Sequence, residues 1–369
     1  MSPIASQRAI CFFDILYADM REGEMSGSPK PIEFLGAPAS PYTRKMLAYL
    51  RYRGIPYRFH ISMHDSLKGY PQPKPALFPT FYLPDEAGEL QAVTDSTPLI
   101  RRFEGEYQGR PALPDDPVTR FLQDIVEDYA DEWLTKIMFH YRWAVPENAD
   151  HVAPLLVYWM MPQAAKGPAN DLAENFAARQ AGRLGVVGSN DATAATIEAS
   201  YRRVLACLDD LIATRPFLFG TRPSAADFAI YGQFTQLLGI EPTSAAIARE
   251  SAPRLLAWID HLEDATGYAA HDDGWLSRDE AATTLRPLFA EIGRTYAPYM
   301  QANAAAHAAS EKQVTLEIDG APWTQATFPY QAKCLRVLRD SFAALSTQDQ
   351  TAVRDAFDGT GCEVLTTPP

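Results

Sequence analysis

The residues with the most chemistry to offer stand at Ser40-Pro41-Tyr42-Thr43-Arg44-Lys45-Met46. A serine followed by proline is a helix start: the hydroxyl accepts from first-turn amides, and proline loses nothing where its missing N–H would have had no partner. Those amides carry the positive end of the helix dipole, so the capping hydroxyl also stands where an anion is stabilised. A bound thiolate is such an anion. A hydrogen bond to a charged group contributes about 1.5–3 kcal/mol and one pKa unit corresponds to about 1.4 kcal/mol, so one hydroxyl lowers a thiol from its reference near 8.5 by roughly one to two units. A plain helix cap is the alternative use of Ser40. Tyr42 and Thr43 carry the next hydroxyls, although such residues more often serve surface or packing roles.

Other reactive groups are placed less suggestively. Cys11, Cys207, Cys334 and Cys362 are scattered without a CxxC pair, so neither a disulfide framework nor a metal-ligand set is expected, and no enzyme thiol stands beside Ser40. His60, His64 and His140 show no metal spacing. Tyr129, Trp133, Phe139, His140, Tyr141, Arg142 and Trp143 form an aromatic and basic cluster whose commoner use is packing. A formal charge of -13 over 369 residues argues against general attraction to nucleic acid or to an anionic membrane. No apolar run suffices to span a bilayer, and the best N-terminal run, Ala9 to Leu16, is broken by Asp14. A soluble, cytoplasmic protein is expected.

Around these groups the chain divides into short elements. Ile32 to Gly36 is a strand, Ser40 to Arg53 a helix closed by Gly54, and Tyr57 to Ile61 a second strand parallel to the first. After a loop from Met63 to Ala76, Leu77 to Leu83 and Glu89 to Val93 form a hairpin, and Asp95-Ser96-Thr97-Pro98 opens a helix to about Tyr107. This β-α-β, β-β-α order is that of a thioredoxin-like domain. Helices come next: one from Asp115-Asp116-Pro117 to just before Pro146, pieces at Val152 to Met161 and Leu172 to Leu184, a loop from Gly185 to Asn190, and a helix from Ala192 to Thr214. Ser224 and Asp227 have capping-box spacing, and a further helix spans Ala252 to about Ala265. The final segment holds alanine-rich helix to Ser310, a strand at Val314 to Ile318, and a last helix near Gln331 to Leu345.

In order and spacing these segments resemble the glutathione transferase superfamily, over roughly residues 31 to 268. The class is α+β: a thioredoxin-like domain at 31–108, an all-helical domain at 115–268, a C-terminal extension at 269–369, and an irregular N-terminal extension at 1–30. The resemblance implies that Ser40 faces the glutathione sulfur, that Phe78-Pro79 is a residue and cis-proline pairing with the ligand's peptide, and that Asp95-Ser96 grips its γ-glutamyl end. Asp95 would receive the ammonium, and the Ser96 hydroxyl with the helix-start amides the α-carboxylate. Lys74 could meet the glycine carboxylate, Gln72 being similar; an exposed lysine is the alternative. Tyr129 or Trp133 would contact the electrophile. The resemblance thus implies a homodimeric glutathione S-transferase with glutathione as co-substrate and no metal. A glutathione-dependent lyase or isomerase and a non-catalytic scaffold with the extension filling the pocket are the rivals.

Overall fold

The strand Ile32–Gly36 (β1) runs into a turn at Ala37 to Ser40 and then helix α1 (Pro41–Arg53). Both ends of α1 are fixed locally. Ser40 is the N-cap and Pro41 the first residue, while Gly54 at φ 65° takes the left-handed conformation and donates its N–H to the Arg51 and Leu50 carbonyls. The chain is described here by a computed structural model at residues 30–61, 67–271 and 273–367. The expected N-terminal extension lies outside the described residues but for Lys30, as do Cys11, His64 and the opening of the 63–76 loop.

Strand β2 (Tyr57–Ile61) pairs parallel to β1, β3 (Thr80–Pro84) pairs antiparallel on its other side, and β4 (Leu90–Val93) completes the order β2-β1-β3-β4. The register sets Phe34 between Phe59 and Phe81, whose rings stack on it at centroid distances of 5.0 and 4.6 Å. Strand β3 begins at Thr80, three residues later than expected, because the ladder needs backbone N–H donors that Pro79 lacks. Helix α2 (Ser96–Glu106) lays Leu99, Ile100 and Phe103 in the same core.

The helical part opens with α3 (Pro117–Tyr129), whose N-cap Asp116 accepts from the Val118 and Thr119 amides. A single π turn, Ala130–Leu134, joins it to α4 (Thr135–Ala144), so the expected long helix carries one extra residue in mid-course. Helices α5 (Pro146–Met160) and α6 (Lys166–Ala181) are longer than the expected pieces. Part of the expected loop is the short helix α7 (Leu184–Val187). Helix α8 (Ala194–Ile212) leads to α9 (Ala225–Leu237), whose capping box Ser224/Asp227 is complete in both directions. Helix α10 (Pro242–Ser251) is not evident in the sequence, since its alanine, serine and threonine content gives little periodicity; α11 (Pro253–Glu263) comes after it.

The C-terminal extension holds α12 (Arg278–Thr284), α13 (Arg286–Arg294), α14 (Tyr296–Ala308), the antiparallel hairpin β5 (Gln313–Ile318) and β6 (Ala321–Ala326), α15 (Pro329–Ala343) and α16 (Thr347–Phe357). Asp319 and Gly320, at φ 54° and 75°, make the hairpin turn, where two left-handed residues match the strand twist. The extension is not a separate body. Trp323 stacks beside Trp133 at 5.2 Å and Tyr299 at 6.1 Å, Phe121 meets Phe342 and Phe357, and Tyr129 meets Tyr296 edge-on. These side chains belong to one apolar core with α1 and α9.

Trp323 is 1% exposed and fills the space between the long helix and the hairpin. Trp323→Ala is expected to lower stability by about 3–5 kcal/mol, the range for truncating a buried aromatic. In urea, circular dichroism and fluorescence should still report one shared transition. Two transitions would mean that the extension folds apart from the rest.

Candidate active site

The turn before α1 brings the Ser40 amide to the Ala37 carbonyl at 2.9 Å, and the Ser40 Oγ accepts from the Thr43 amide at 3.2 Å. The same hydroxyl donates to the Phe78 carbonyl at 3.3 Å. The Phe78–Pro79 peptide is cis, as is Lys74–Pro75. The neighbouring hydroxyls are committed elsewhere. Thr43 is fully buried, its Oγ1 accepting from the Ala37 amide, and Tyr42 donates to the Asp131 carbonyl at 2.7 Å. Burial, with Glu132 and Asp131 nearby, pushes the Tyr42 phenol well above its usual value. Of the three, Ser40 is the hydroxyl held between a helix start and the carbonyl of the cis Phe78–Pro79 peptide.

Asp95 and Ser96 stand at the start of α2. Asp95 takes φ 84°, which an L side chain rarely adopts and which costs of order 1–3 kcal/mol. Although it occupies the N-cap position, its side chain makes no capping bond. The carboxylate instead accepts the Tyr330 hydroxyl at 2.8 Å, from the first turn of α15. Ser96 is buried. Lys74 and Gln72 are exposed, Gln72 donating to the Tyr70 carbonyl at 3.3 Å, and among the described residues no hydrogen bond or ion pair draws Lys74 toward Ser40 or Asp95.

Beneath these groups lies a buried ionic cluster that the sequence did not reveal. Lys45 is 1% exposed and donates to Asp131 at 2.6 Å, with Glu127 at 2.8 Å and the Thr97 hydroxyl at 3.3 Å. Arg101 reaches Glu127 at 2.7 Å and Asp124 at 2.6 Å. Burial opposes the Lys45 charge, but Asp131 and Glu127 outweigh it and raise its pKa. Burial also opposes charge on Glu127, where Arg101 and Lys45 win and hold it down to about 2. Asp131 goes the other way: burial, against which Lys45 pulls, lifts it to about 6. The π turn places Asp131 and Glu132, adjacent in sequence, both in buried positions. Glu132 accepts Gln331 Nε2 at 2.8 Å, and burial raises it to about 7.

Tyr129 and Trp133, expected to face an electrophile, are both fully buried. Tyr129 packs on Tyr296, and Trp133 packs on Trp323 and donates its indole N–H to Ser200 at 2.9 Å, so the extension covers this face of the long helix. His60 sits with Glu33 at 2.8 Å and His140 with Ser189 at 2.8 Å. No group of three His, Cys, Asp or Glu among the described residues has metal-binding geometry. Burial pushes the thiols of Cys207 and Cys362 up to about 12 and that of Cys334, beside Tyr330, higher still.

Sequence reasoning missed Lys45, Asp131, Glu132, Gln331 and Tyr330. Two signals were available: a lysine flanked by core residues in the first helix, and an acidic pair between Tyr129 and Trp133. Nothing local marks Tyr330.

Lys45→Met is expected to destabilise the fold by about 3–5 kcal/mol at pH 7, the cost of leaving buried partners of an ion pair uncompensated. Asp131 has a folded pKa raised to about 6, so its contribution is complete below its unfolded value and is lost as pH rises through 6. Without Lys45 it rises further, and the deficit should shrink between pH 7 and pH 5. Urea unfolding at the two pH values checks this, and an equal deficit at both would refute it.

Comparison with known proteins gives two matches to family models: the glutathione S-transferase N-terminal domain over residues 34–111 and the glutathione S-transferase C-terminal domain over 188–261. No curated protein sequence matches the chain. Among solved structures, it is similar to a glutathione S-transferase from Methylobacterium radiotolerans in complex with glutathione sulfonate: 18% identity, 67% of this chain and 100% of that one, TM-score 0.37. It is also similar to the beta-etherase LigF from Sphingobium sp. strain SYK-6, at 16% identity, 63% and 95% coverage and TM-score 0.45. A third is a glutathione transferase family member from Pseudomonas fluorescens with two glutathione bound, at 15% identity, 67% and 97% coverage and TM-score 0.39. With a thioredoxin-like sheet, a helical domain and both family models matched in order, this chain carries the two domains of the glutathione S-transferase superfamily, followed by an extension of its own.

Proposed function

We propose that the chain binds glutathione and adds its thiolate to an electrophilic small molecule, with Ser40 as the donor to sulfur. The observation that carries this reading is the 3.3 Å contact between the Ser40 hydroxyl and the carbonyl of the Phe78–Pro79 peptide. An extended peptide pairs with such a carbonyl through its own amide N–H. The ligand's amide would compete for that carbonyl, and the hydroxyl, whose bond to it is long, would then turn its hydrogen to the sulfur. Ser40 acts as a hydrogen-bond donor, and no proton moves onto it. The thiolate attacks the electrophilic carbon, a C–S bond forms, and the leaving group or the adjacent carbon takes the displaced electron pair.

Asp95 with Ser96 and the first amides of α2 would hold the γ-glutamyl end, where an amino group meets a carboxylate and an α-carboxylate meets a helix start. Contact with the electrophile, expected of Tyr129 and Trp133, passes in this reading to side chains nearer the surface, since both of these are buried. A cytoplasmic homodimer belongs to the same reading. The protonated thiols of Cys334, Cys207 and Cys362 favour conjugation over reduction through an enzyme disulfide.

Ser40→Ala is expected to keep glutathione on the protein while raising the bound thiol pKa by roughly one to two units. Ultraviolet thiolate absorption against pH reads this directly. The conjugation rate rises with pH through the thiol pKa, so the variant's profile should move to higher pH. A variant with an unmoved profile would leave Ser40 as a helix cap alone.

A further inference from the structure

The C-terminal extension reaches Asp95 through the first turn of α15, and that turn is fixed in place. The Phe328 amide donates to Asn303 Oδ1 at 2.8 Å, and Asn303 Nδ2 returns a bond to the Phe328 carbonyl at 2.9 Å. Asn303 is fully buried. Gln331, 1% exposed, donates to the Glu132 carboxylate at 2.8 Å and to its carbonyl at 3.2 Å, and its Oε1 accepts from Tyr299 at 2.5 Å. Tyr330 lies between these anchors. It remains 38% exposed while its hydroxyl donates to Asp95 Oδ2 at 2.8 Å.

Three observations meet at this contact. Asp95 is strained at φ 84°, makes no capping bond, and receives a phenol carried from 235 positions further along the chain. The strain argues that the backbone is held to present the carboxylate, and the phenol argues that its direction is set. A carboxylate accepts about four hydrogen bonds, so one donor on Oδ2 leaves room for a cation. The phenol oxygen, having given its hydrogen to Asp95, keeps lone pairs for a donor that approaches the same carboxylate. An ammonium, with three N–H donors, fits that pair of acceptors, whereas an N-acylated amide has one donor and no charge.

We propose that Tyr330 is a binding residue of this site that, with Asp95, selects ligands bearing a free α-ammonium, so that the extension sets specificity for an unmodified γ-glutamyl end. This rests on the glutathione reading above. Because Gln331 is buried and bonded and Phe328 is bonded to the buried Asn303, Tyr330 is a permanent wall of the site and not a latch that must leave before the ligand enters.

The test is calorimetric titration of the full chain with glutathione and with N-acetylglutathione, for the unaltered protein, Tyr330→Phe, Asp95→Asn and the double variant. Phenylalanine keeps the ring, and thermal unfolding checks that each variant is folded. Tyr330→Phe is expected to weaken glutathione binding by roughly ten- to a hundredfold, the loss of one hydrogen bond to a charged group, and to leave N-acetylglutathione binding nearly unchanged. In the Asp95→Asn background the same change should have little further effect. Equal weakening for both ligands, no change, or tighter glutathione binding in Tyr330→Phe would overturn the assignment while leaving the glutathione reading intact. Failure of the unaltered chain to bind glutathione at all would overturn both.

Discussion

A lysine with almost no access to water holds this site together. Lys45 sits five residues after Ser40, and its ammonium ties α1 to Glu127 at the end of α3, to Asp131 in the π turn and to Thr97 in α2. The helix that presents Ser40, the helix that presents Asp95 and the helix that backs both are therefore joined at one charge. A buried charge of this kind is expensive unless every partner is present, so the three helices cannot shift independently without exposing an uncompensated ion. Steric fit reinforces the same joint. Gly232 in α9 faces the start of α1 so closely that an added Cβ would lie 2.4 Å from the Pro41 carbonyl and 3.2 Å from Lys45 Cβ. The absence of a side chain there lets the turn carrying Ser40 press against the helical domain.

The extension changes what the long helix can do. It covers the face carrying Tyr129 and Trp133 with Tyr296, Tyr299 and Trp323, and the two aromatic residues become core. It also supplies Gln331 to Glu132 and Tyr330 to Asp95. Burial lifts the acids in this neighbourhood, Asp131 to about 6, Glu132 to about 7 and Asp128 well above its usual value. Lys136, one turn on from Glu132, is pushed by burial down to about 7 and donates to Gln325 and Gln331.

What the sequence made legible was local. The Ser40-Pro41 start, the Gly54 stop and the Ser224/Asp227 capping box are each specified by residues within a few positions of one another, and all three stand where expected. The sheet order came from short alternating runs separated by turns. Strand β6 was missed because Pro322, Thr324 and Gln325 interrupt its apolar signal, and α16 because only Val353, Ala356 and Phe357 are buried on it. The site residues that escaped notice share one property: their meaning lies across the fold. Lys45 reads as an ordinary helical lysine until Asp131, 86 positions away, is placed beside it. Tyr330 reads as an aromatic residue of a folded tail until Asp95 is.

Helix cap and thiolate donor, which compete as descriptions of Ser40 in the sequence, are not physically exclusive. The capping bond uses a lone pair of Oγ, accepting from the Thr43 amide at 3.2 Å. The bond to Phe78 uses its hydrogen, at 3.3 Å. Capping therefore fixes where the oxygen is, while the hydroxyl hydrogen stays free to change partner by rotation about one bond. The accepted amide hydrogen also polarises the hydroxyl and makes it a better donor. On the glutathione reading the cap is thus what readies the hydroxyl for sulfur, and the long, weak bond to a carbonyl that the ligand's own amide can take over is what leaves that hydrogen exchangeable.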